Sequence, residues 1–384
     1  MNALNTKKTR GQFYTVNHSY ILDGLPRPPF SENPGETPSD IHYPDMVYHR
    51  RIIEPFAGTG ELLEWMKLSG ILSDNNITIE AYDIDPKKEG IITRDTLMSP
   101  PDYMDAWILT NPPYLARNKC ATKEIFDKYN TNDLYKCFIT SITQQPAPCA
   151  GGILIIPAGF FLSPRDIDVR CRHEFMTKYK LLKVKYFEET VFPDTSTTVV
   201  AFAFEKASGP GPGGAPGPLV EQQVEWISMP SGNTRVFTMS AVHNWIIGGD
   251  IYNLPVLDNI KIRRHVDGSP LQEGEQQTYM TLCALDSGKT GSNLCLEYKE
   301  GYIYPAKDCS RSYATLRIQG RVLSAAEQVQ ICADFNTLIE QKRAETWSLF
   351  LPQYRESKEY ARKRIPFELA YTIVSHLVMH IYRN

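Results

Sequence analysis

The sequence predicts an α/β protein with a doubly wound, mostly parallel sheet that ends in an antiparallel hairpin, followed by a C-terminal region of mixed and helical structure. Three observations indicate this class. Short apolar runs alternate with segments of helical length, which is typical of a parallel sheet covered on both faces. A glycine-rich turn, 58–60, joins an early strand to a helix. Two late strands, 180–187 and 197–204, are separated by a connection short enough for an antiparallel pair.

The elements of this first part are expected in a regular order. Strands are predicted where apolar and β-branched residues run between turn residues, and helices where apolar residues recur every three or four positions. Residues 1–22 form a basic arm, and 23–45 form a long Pro-rich loop. The predicted strands are 52–53, 77–82, 107–109, 152–156, 180–187 and 197–204. The predicted helices are 61–68, 132–143 and 164–179.

A low-complexity segment, 207–218, is rich in proline and glycine and cannot form a regular element. Because 224–227 and 234–237 have the pattern of two further strands, we interpret this segment as a surface insertion and not as a domain boundary. We therefore place the first domain at residues 1–245 and a second, mixed and helical domain at 246–384.

Two helices are predicted in the second domain. Residues 324–327 have a capping-box pattern ahead of a helix that runs towards Phe350. Pro366 suits the first position of the last helix. That helix has an apolar stripe, but polar side chains, His376 and His380 among them, interrupt it. We expect it to pack in a core and not to span a membrane.

The most informative motif is Asn-Pro-Pro-Tyr at Asn111–Tyr114, directly after a predicted strand. Two consecutive prolines fix two φ angles and remove two N–H donors, so the loop is stiff. It offers the amide oxygen of Asn111, the carbonyl of Pro112 and the ring of Tyr114. A planar exocyclic amine can donate to both oxygens while its ring stacks on the tyrosine. A proline turn that only ends the strand is the alternative.

A second set of motifs predicts a cofactor that contains a nucleoside. In the glycine-rich turn the backbone can approach a ligand closely. Asp83 ends the next strand about twenty-five residues later, near the spacing at which doubly wound folds place the acid that binds a ribose diol. Asp85 competes for this role. Asp95 could accept a hydrogen bond from an adenine amine.

The motifs resemble those of the gamma class of S-adenosylmethionine-dependent DNA adenine-N6 methyltransferases, in which the cofactor motifs precede the target-recognition region. Gly11–Thr15 is similar to the N-terminal motif of that family, and Asp133–Tyr135 to the start of its post-catalytic helix. Val191–Pro193 and the strand after it are similar to its last hairpin. The motifs follow the family order over residues 7–205.

The resemblance implies S-adenosylmethionine as the cofactor. Asp83 would bind its ribose and Asp95 its adenine amine, while Glu54 and Thr15 would lie at its methionine end; a Glu54 that only caps the turn is the alternative. The turn departs from the commonest family pattern at Pro55 and Phe56, although both glycines remain. The implied cofactor-binding residues are Gln12, Phe13, Tyr14, Thr15, Glu54, Ala57, Gly58, Gly60, Asp83, Ile84, Asp95 and Asn111.

The resemblance also implies catalytic roles for Asn111, Pro112, Tyr114 and Phe192. The oxygens of the first two would hold the N6 amine of an adenine that has flipped out of the duplex. Tyr114 and Phe192 would stack on its two faces. Two hydrogen bonds of this kind turn the nitrogen lone pair towards the sulfonium methyl, so no side-chain base and no metal are required before transfer.

Composition limits the partners. The net charge of −3 does not describe a polycation, so binding of double-stranded DNA needs a local basic face. Eight scattered cysteines indicate a reducing compartment and argue against a zinc site. No secretion signal is apparent. We expect a monomeric, cytoplasmic, intracellular enzyme of bacterial or viral origin that binds no membrane, with a cognate restriction endonuclease acting on the same site as its partner.

Three alternatives stay open. An RNA adenine-N6 methyltransferase would share the chemistry. A protein-glutamine methyltransferase also uses Asn-Pro-Pro-Tyr, but it would not need Phe192 or the second domain. A catalytically silent nucleic-acid-binding module is the non-enzymatic alternative. The DNA target is not encoded in these motifs; Arg311 and Arg317 flank an aromatic residue in a polar stretch, and 362–364 is a candidate phosphate clamp.

Overall fold

The chain folds into two compact units, one comprising Met1–Phe160 and Arg165–Ala241 and the other Phe161–Pro164 and Val242–Asn384. The computed structural model describes residues 11, 13–28, 50–73, 76–192, 197–207, 220–286, 294–354 and 362–381.

In the described part of the first unit, nine strands form one sheet. They are β1 (Arg50–Glu54), β2 (Ile77–Asp83), β3 (Ile92–Thr93), β4 (Trp107–Thr110), β5 (Gly151–Pro157), β6 (Tyr179–Phe187), β7 (Val199–Lys206), β8 (Glu221–Met229) and β9 (Asn233–Ser240). The order is β3-β2-β1-β4-β5-β7-β6-β8-β9. Strands β1 to β5 pair in parallel, and β7 runs antiparallel to β5 and β6. The predicted fold class, a mostly parallel methyltransferase sheet with an antiparallel last hairpin, is confirmed.

In the described part of the chain, one helix precedes β1 and the others of this unit lie between strands of the sheet. They are α1 (His18–Leu22), α2 (Glu61–Leu68), α3 (Glu124–Tyr129), α4 (Leu134–Thr143), α5 (Gly159–Leu162) and α6 (Asp166–Lys178), with short 3-10 turns at Ile71–Ser73 and Arg117–Lys119. The predicted helix 61–68 has the observed bounds. The helices predicted from 132 and 164 begin later because Asp133 and Arg165 are still extended, with ψ of 147° and 140°.

The two strands predicted beyond the low-complexity segment extend the same sheet. β8 runs parallel to β6, and β9 returns antiparallel to β8 through a turn at Gly232, whose φ is +73°. Of the segment 207–218, all but Ala207 lies outside the described residues. The strands therefore belong to the first unit, as the pattern of 224–227 and 234–237 indicated.

A buried lysine attaches the N-terminal segment, residues 11 and 13–28 of the described part, to the sheet. Lys185 on β6 is 5% exposed, and its Nζ donates to the carbonyls of Tyr20 at 2.7 Å and Asp23 at 3.0 Å. These carbonyls lie at the C-terminal end of α1, where a cation complements the helix dipole. Trp65 of α2 donates to the Asp23 carboxylate at 2.9 Å. Burial lowers the pKa of Lys185, and the charge of Asp23 opposes this shift.

The second unit has two antiparallel sheets and two long helices in its described part. Its strands are β10 (Lys261–Arg264), β11 (Glu275–Cys283), β12 (Leu285–Asp286), β13 (Cys295–Tyr298), β14 (Tyr313–Gln319), β15 (Gln353–Tyr354) and β16 (Arg362–Arg364). The sheets have the orders β10-β14-β11-β13 and β12-β16-β15. The helices are α7 (Ala325–Thr346) and α8 (Phe367–Ile381), and 3-10 turns occur at Ala241–His243 and Gly249–Asn253.

Both predicted C-terminal helices form. Ser324 Oγ accepts from the Glu327 N–H at 3.3 Å and the Glu327 carboxylate accepts from the Ser324 N–H at 2.8 Å, which completes the capping box. The helix ends at Thr346, short of the predicted end, because Trp347 takes a left-handed conformation with φ of +52°. Pro366 precedes the last helix instead of opening it, since its carbonyl accepts the first helical bond from Ala370.

The last helix packs as predicted. Its apolar face joins a core formed with the four-stranded sheet and α7. None of the helices in the described part of the chain combines the length and the apolar character that crossing a membrane would need. The core-facing residues of α8 are Leu369, Ala370, Ile373, Val374 and Val378.

We predict that Lys185→Met lowers the free energy of unfolding by about 1–3 kcal/mol, because two buried carbonyls lose their donor. Cleavage by a protease within residues 16–24 should become faster. Urea unfolding and limited proteolysis measure the two effects. Lys183→Met on the same strand is the control, since Lys183 is partly exposed and pairs with Glu225. Equal stability of the two variants would contradict a clamping role for Lys185.

Candidate active site

The glycine-rich turn follows the buried end of β1 and leads into α2. Gly58 has φ of +54° and Gly60 of +85°, which residues with a Cβ rarely adopt. A Cβ at Gly58 would lie 3.0 Å from the ring of Tyr14. Thr96 Oγ1 donates to the Pro55 carbonyl at 3.0 Å, so the turn is also held from the loop after β3. A side chain at position 58 would therefore be strained and would need the ring of Tyr14 to shift.

Asp83, at the end of β2, holds the turn from the other side. Its Oδ2 accepts from the Gly58 N–H at 2.8 Å, and its Oδ1 accepts from the Asp85 N–H at 2.8 Å. Asp83 is 4% exposed. The carboxylate of Asp85 is much more exposed and pairs with Lys87 at 2.8 Å. The two candidate ribose acids therefore differ, because Asp83 lines the cavity beside the turn and Asp85 faces the surface.

A cavity of about 470 Å³ lies next to the carboxyl ends of β1, β2 and β4. This volume is in the range of small-molecule sites. Residues that follow each of these strands line it, as expected where parallel strands end at one edge of a sheet. The predicted cofactor residues in its wall are Phe13, Tyr14, Gly58, Asp83, Ile84, Asp95 and Asn111.

The other predicted residues lie outside this wall. Thr15, Glu54, Ala57 and Gly60 are buried near the glycine-rich turn or the N-terminal segment, and Gln12 lies outside the described residues. Among the predicted catalytic residues Asn111 lines the cavity, whereas Pro112, Tyr114 and Phe192 are buried.

Sequence reasoning missed part of the wall. Phe56 belongs to the glycine-rich turn and Pro113 to Asn-Pro-Pro-Tyr, so their position after a strand could have indicated that they line a cavity. The segment between Leu115 and Ile125 has no pattern that points to a ligand. The missed residues are Phe56, Arg94, Thr96, Leu97, Met98, Pro113, Leu115, Cys120, Thr122, Glu124, Ile125 and Leu134.

Asp95 has a structural role in its loop as well as a place in the wall. One carboxylate oxygen, Oδ1, accepts from the backbone N–H groups of Leu97 at 3.1 Å and Met98 at 3.0 Å. This arrangement is a local turn of the kind that aspartate favours. It fixes the direction of the carboxylate in the cavity.

Glu54 is a buried carboxylate, and within the described part of the chain neither of its oxygens has a hydrogen-bond partner of good geometry. It is 1% exposed, at the end of β1. Burial raises its pKa well above the usual range, the charges of Glu61 and Asp83 add to this, and the nearby Thr110 hydroxyl opposes it. An uncompensated buried carboxylate is costly. The local chemistry therefore fits a cation placed beside Glu54.

The amide of Asn111 links the N-terminal segment to the Asn-Pro-Pro-Tyr loop. Its Nδ2 donates to the carbonyl of Phe13 at 2.8 Å and to Thr15 Oγ1 at 3.1 Å. Its Oδ1 accepts from the hydroxyl of Tyr114, which also lies 2.7 Å from the carbonyl oxygen of Ile155. Both amide hydrogens thus bond to the N-terminal segment, and the amide oxygen faces away from that segment, towards Tyr114.

Three aromatic rings pack beside Asn111. The ring centroids of Phe13 and Tyr114 are 5.3 Å apart, those of Phe13 and Phe192 6.2 Å, and those of Tyr114 and Phe192 6.4 Å at an angle of 64°. A base stacked between two parallel rings needs about 7 Å, twice the contact distance of carbon atoms. The structure therefore brings the two predicted stacking residues together. Their rings are too close for a base to lie between them, and Phe13 packs against both.

The residues of the second unit that the sequence offers as candidate DNA contacts differ in exposure. Arg317 is 2% exposed, and its guanidinium donates to Gln277 and to the carbonyls of Ser269 and Pro270. It is therefore part of the core. Lys363 in the candidate phosphate clamp is also buried and donates to the Trp347 carbonyl. Arg311, by contrast, is exposed.

His376 and His380 pair with each other on α8. Their Nε2 atoms are 3.1 Å apart, and His376 Nδ1 lies 2.8 Å from the Pro255 carbonyl oxygen. Across the residues that the structure describes, no group of three or more His, Cys, Asp or Glu side chains could hold a metal ion.

Comparison with solved structures finds restriction-modification methyltransferases. The modification subunit of a type I restriction enzyme from Vibrio vulnificus shares 17% identity over 48% of this chain and 44% of its own, with a TM-score of 0.36. The methyltransferase subunit of a type I system from Streptococcus thermophilus shares 13% over 47% and 42%, with a TM-score of 0.33. A class I S-adenosylmethionine-dependent methyltransferase from Listeria monocytogenes shares 14% over 48% and 61%, with a TM-score of 0.36.

The chain spans less than two thirds of the length of each of these neighbours. No family model and no curated protein matches the sequence. Because the TM-scores are low, the fold assignment depends on the strand order itself.

We predict that Glu54 makes the stability of the ligand-free protein depend on pH. Because its pKa is raised in the folded protein, its contribution to the free energy of unfolding is present in full below its ordinary value of 4.5 and is lost as pH rises through the raised pKa. Glu54→Gln should therefore flatten the fall in stability between pH 5 and pH 8, measured by urea unfolding. Glu64→Gln, at an exposed position of α2, should keep the wild-type slope. A wild-type slope in Glu54→Gln would contradict the prediction.

Proposed function

We propose that this protein is an S-adenosylmethionine-dependent DNA methyltransferase that methylates N6 of adenine. One observation carries the proposal: Asn111 and Pro113 line the same cavity as Asp83 and Asp95. A nucleoside cofactor held by the two acids would lie against the loop that offers oxygens to an amine. Cofactor and acceptor would therefore meet at Asn111.

Two carboxylates that line the cavity, and a third, Glu54, that is buried near the glycine-rich turn, suit the cofactor. Asp83 has lone pairs left for ribose hydroxyls after accepting two backbone bonds, since a carboxylate has about four acceptor positions. Asp95 has an oxygen, Oδ2, besides the one that caps its turn. Among the described residues Glu54 has no basic partner, which suits the ammonium or sulfonium of the cofactor. When bound, the cofactor supplies a methyl group on a cationic sulfur.

The residues at the acceptor position act by orientation. Asn111 Oδ1 and the Pro112 carbonyl would each accept one hydrogen of the adenine amine and direct its lone pair at the methyl group. Holding nitrogen, carbon and sulfur in line accounts for a large part of such rate enhancements. No side-chain base is needed, because the methylated amine is acidic enough to lose its proton afterwards.

Entry of the base requires a change in the aromatic cluster. Phe13 packs on both Tyr114 and Phe192, so a flipped adenine would take the place of its ring. We therefore infer that the ring of Phe13 turns aside when the base enters, while its backbone carbonyl keeps the hydrogen bond from Asn111 Nδ2. The stacking roles of Tyr114 and Phe192 depend on this rearrangement.

Duplex DNA is the substrate that we favour. The motifs resemble those of DNA enzymes, and the separate second unit would serve as the target-recognition domain. Because Arg317 is buried, Arg311 and Tyr313 are the exposed basic and aromatic residues of the 308–317 stretch that could contact nucleic acid. The neighbours from restriction-modification systems support a cognate endonuclease as the partner of this enzyme. RNA and protein-glutamine substrates are the competing proposals.

We predict that the purified protein transfers methyl groups to DNA and that Asn111→Ala lowers the rate by about 10²–10³, the cost of losing a preorganised polar contact. Methylation mapping of DNA from expressing cells gives the site and the modified base. Cofactor affinity should change much less, because Asn111 faces the acceptor. Methylation confined to RNA or to a protein would replace DNA as the substrate, and near wild-type turnover of Asn111→Ala would exclude the proposed mechanism.

We predict that Asp83→Asn weakens the binding of S-adenosylmethionine by about 1.5–3 kcal/mol, the scale for hydrogen bonds to a charged group. Calorimetry measures this loss. Asp85→Asn is the matched control and should change the affinity little, because its carboxylate faces the surface and pairs with Lys87. A larger loss for Asp85→Asn would assign the ribose to Asp85 instead.

We predict that Phe192→Ala slows methylation of paired adenine more than methylation of a mismatched or unpaired one. Base stacking on an aromatic ring contributes about 1–3 kcal/mol, and an unpaired base needs less energy to flip. 2-Aminopurine at the mapped position should brighten when the wild-type enzyme binds. Equal losses on paired and unpaired targets would argue against stacking by Phe192.

A further inference from the structure

The side chain of Asn111 has two orientations that differ by exchange of its oxygen and its nitrogen. Only one of them suits the proposed reaction, because an amine donates hydrogens and therefore needs the oxygen. The wrong orientation would present an NH₂ group to the amine. A transferase of this kind thus needs a device that fixes the amide.

The N-terminal segment provides acceptors on one side of the amide. The Phe13 carbonyl and Thr15 Oγ1 lie 2.8 Å and 3.1 Å from Asn111 Nδ2, which uses both of its hydrogens. A carbonyl oxygen has no hydrogen to donate. The exchanged orientation would set Asn111 Oδ1 against the Phe13 carbonyl and lose that bond, and the Thr15 hydroxyl would have to turn round and donate to the oxygen.

Thr15 is well placed to hold this orientation. It is 3% exposed, so water does not readily replace its hydroxyl. The segment itself is attached to the same loop, because the Tyr114 N–H donates to the Gly11 carbonyl at 2.9 Å. A Cβ at Gly11 would lie 2.6 Å from the Tyr114 carbonyl oxygen, so the two backbones are in close contact.

The oxygen of Asn111 can be released to an incoming amine. In the ligand-free protein Oδ1 accepts from the Tyr114 hydroxyl. That hydroxyl has one hydrogen and a second acceptor, the Ile155 carbonyl at 2.7 Å. Burial raises the pKa of Tyr114 well above its usual range, so the hydroxyl stays protonated. When an amine donates to Oδ1, Tyr114 can donate to Ile155 and remain paired.

We propose that Thr15 is a positioning residue that fixes the amide of Asn111 with its oxygen towards the acceptor amine. The proposal rests on the transfer reaction proposed above and adds a residue that acts through Asn111. This positioning role differs from cofactor binding, the role that the family resemblance implies for Thr15.

Thr15→Val removes the acceptor at nearly constant volume, and Thr15→Ser keeps it. With cofactor and DNA at saturation, we expect Thr15→Val to lower kcat by at least about tenfold, the loss that accompanies one misplaced hydrogen bond of about 1.4 kcal/mol. Thr15→Ser should stay within about threefold of the wild type, since its hydroxyl still accepts. The control is Thr143→Val, which removes a buried hydroxyl bonded to Thr140 in α4 and should leave kcat unchanged.

The cofactor dissociation constant separates this role from direct cofactor binding. We expect it to change less than kcat in Thr15→Val. A loss confined to the dissociation constant, or a Thr15→Ser variant as slow as Thr15→Val, would overturn the proposal.

A second measurement does not depend on activity. The side-chain amide protons of Asn111, assigned by their absence from the NMR spectrum of Asn111→Ala, should exchange slowly in the wild type and faster in Thr15→Val. Equal exchange rates would overturn the role of Thr15. Faster exchange in a protein that methylates no DNA would leave this role standing and refute the proposed function instead.

Discussion

Parallel pairing of β1 with β2 and β4 is the constraint on which the candidate site depends. The register sets Glu54 beside Ala81 and Ile53 beside Ile108, so the three strands end at the same edge of the sheet. The loops that follow must then share one space. That space is the cavity. The hydrogen bond from the Gly58 N–H to the Asp83 carboxylate joins the loop after β1 to the end of β2.

A second feature of this edge is unbalanced charge. The charges of Glu61 and Asp83 both act on Glu54, and none of the basic side chains that the structure describes reaches it. The raised pKa of Glu54 is the consequence in the ligand-free protein. A cationic cofactor would relieve this cost, so the same feature that destabilises the empty site favours its ligand.

The N-terminal segment contacts both the cavity and the loop that contains Asn111. Lys185 holds its helix, the Gly11 carbonyl pairs with the Tyr114 N–H, and Asn111 binds Phe13 and Thr15. Its residues Phe13 and Tyr14 also line the cavity. Movement of this segment would therefore affect the residues around the cavity and the loop at Asn111 together.

The sequence by itself determined the fold class and the order of the motifs. Strands, glycine turns and strand-ending acids are local patterns, and parallel strands bring their ends together whatever the rest of the chain does. It also favoured Asp83 and indicated Asn111, because each follows a strand directly. The burial of Arg317 had no such signal, since it depends on partners about fifty residues away in the chain.

Only the tertiary structure decided the details that matter for the chemistry. The bonds between Asn111 and the N-terminal segment join residues that are 96 and 98 positions apart, and no local pattern specifies them. The same holds for the contact of Phe13 with both predicted stacking rings and for the unpaired carboxylate of Glu54. These features depend on packing between distant segments, which composition and periodicity do not encode.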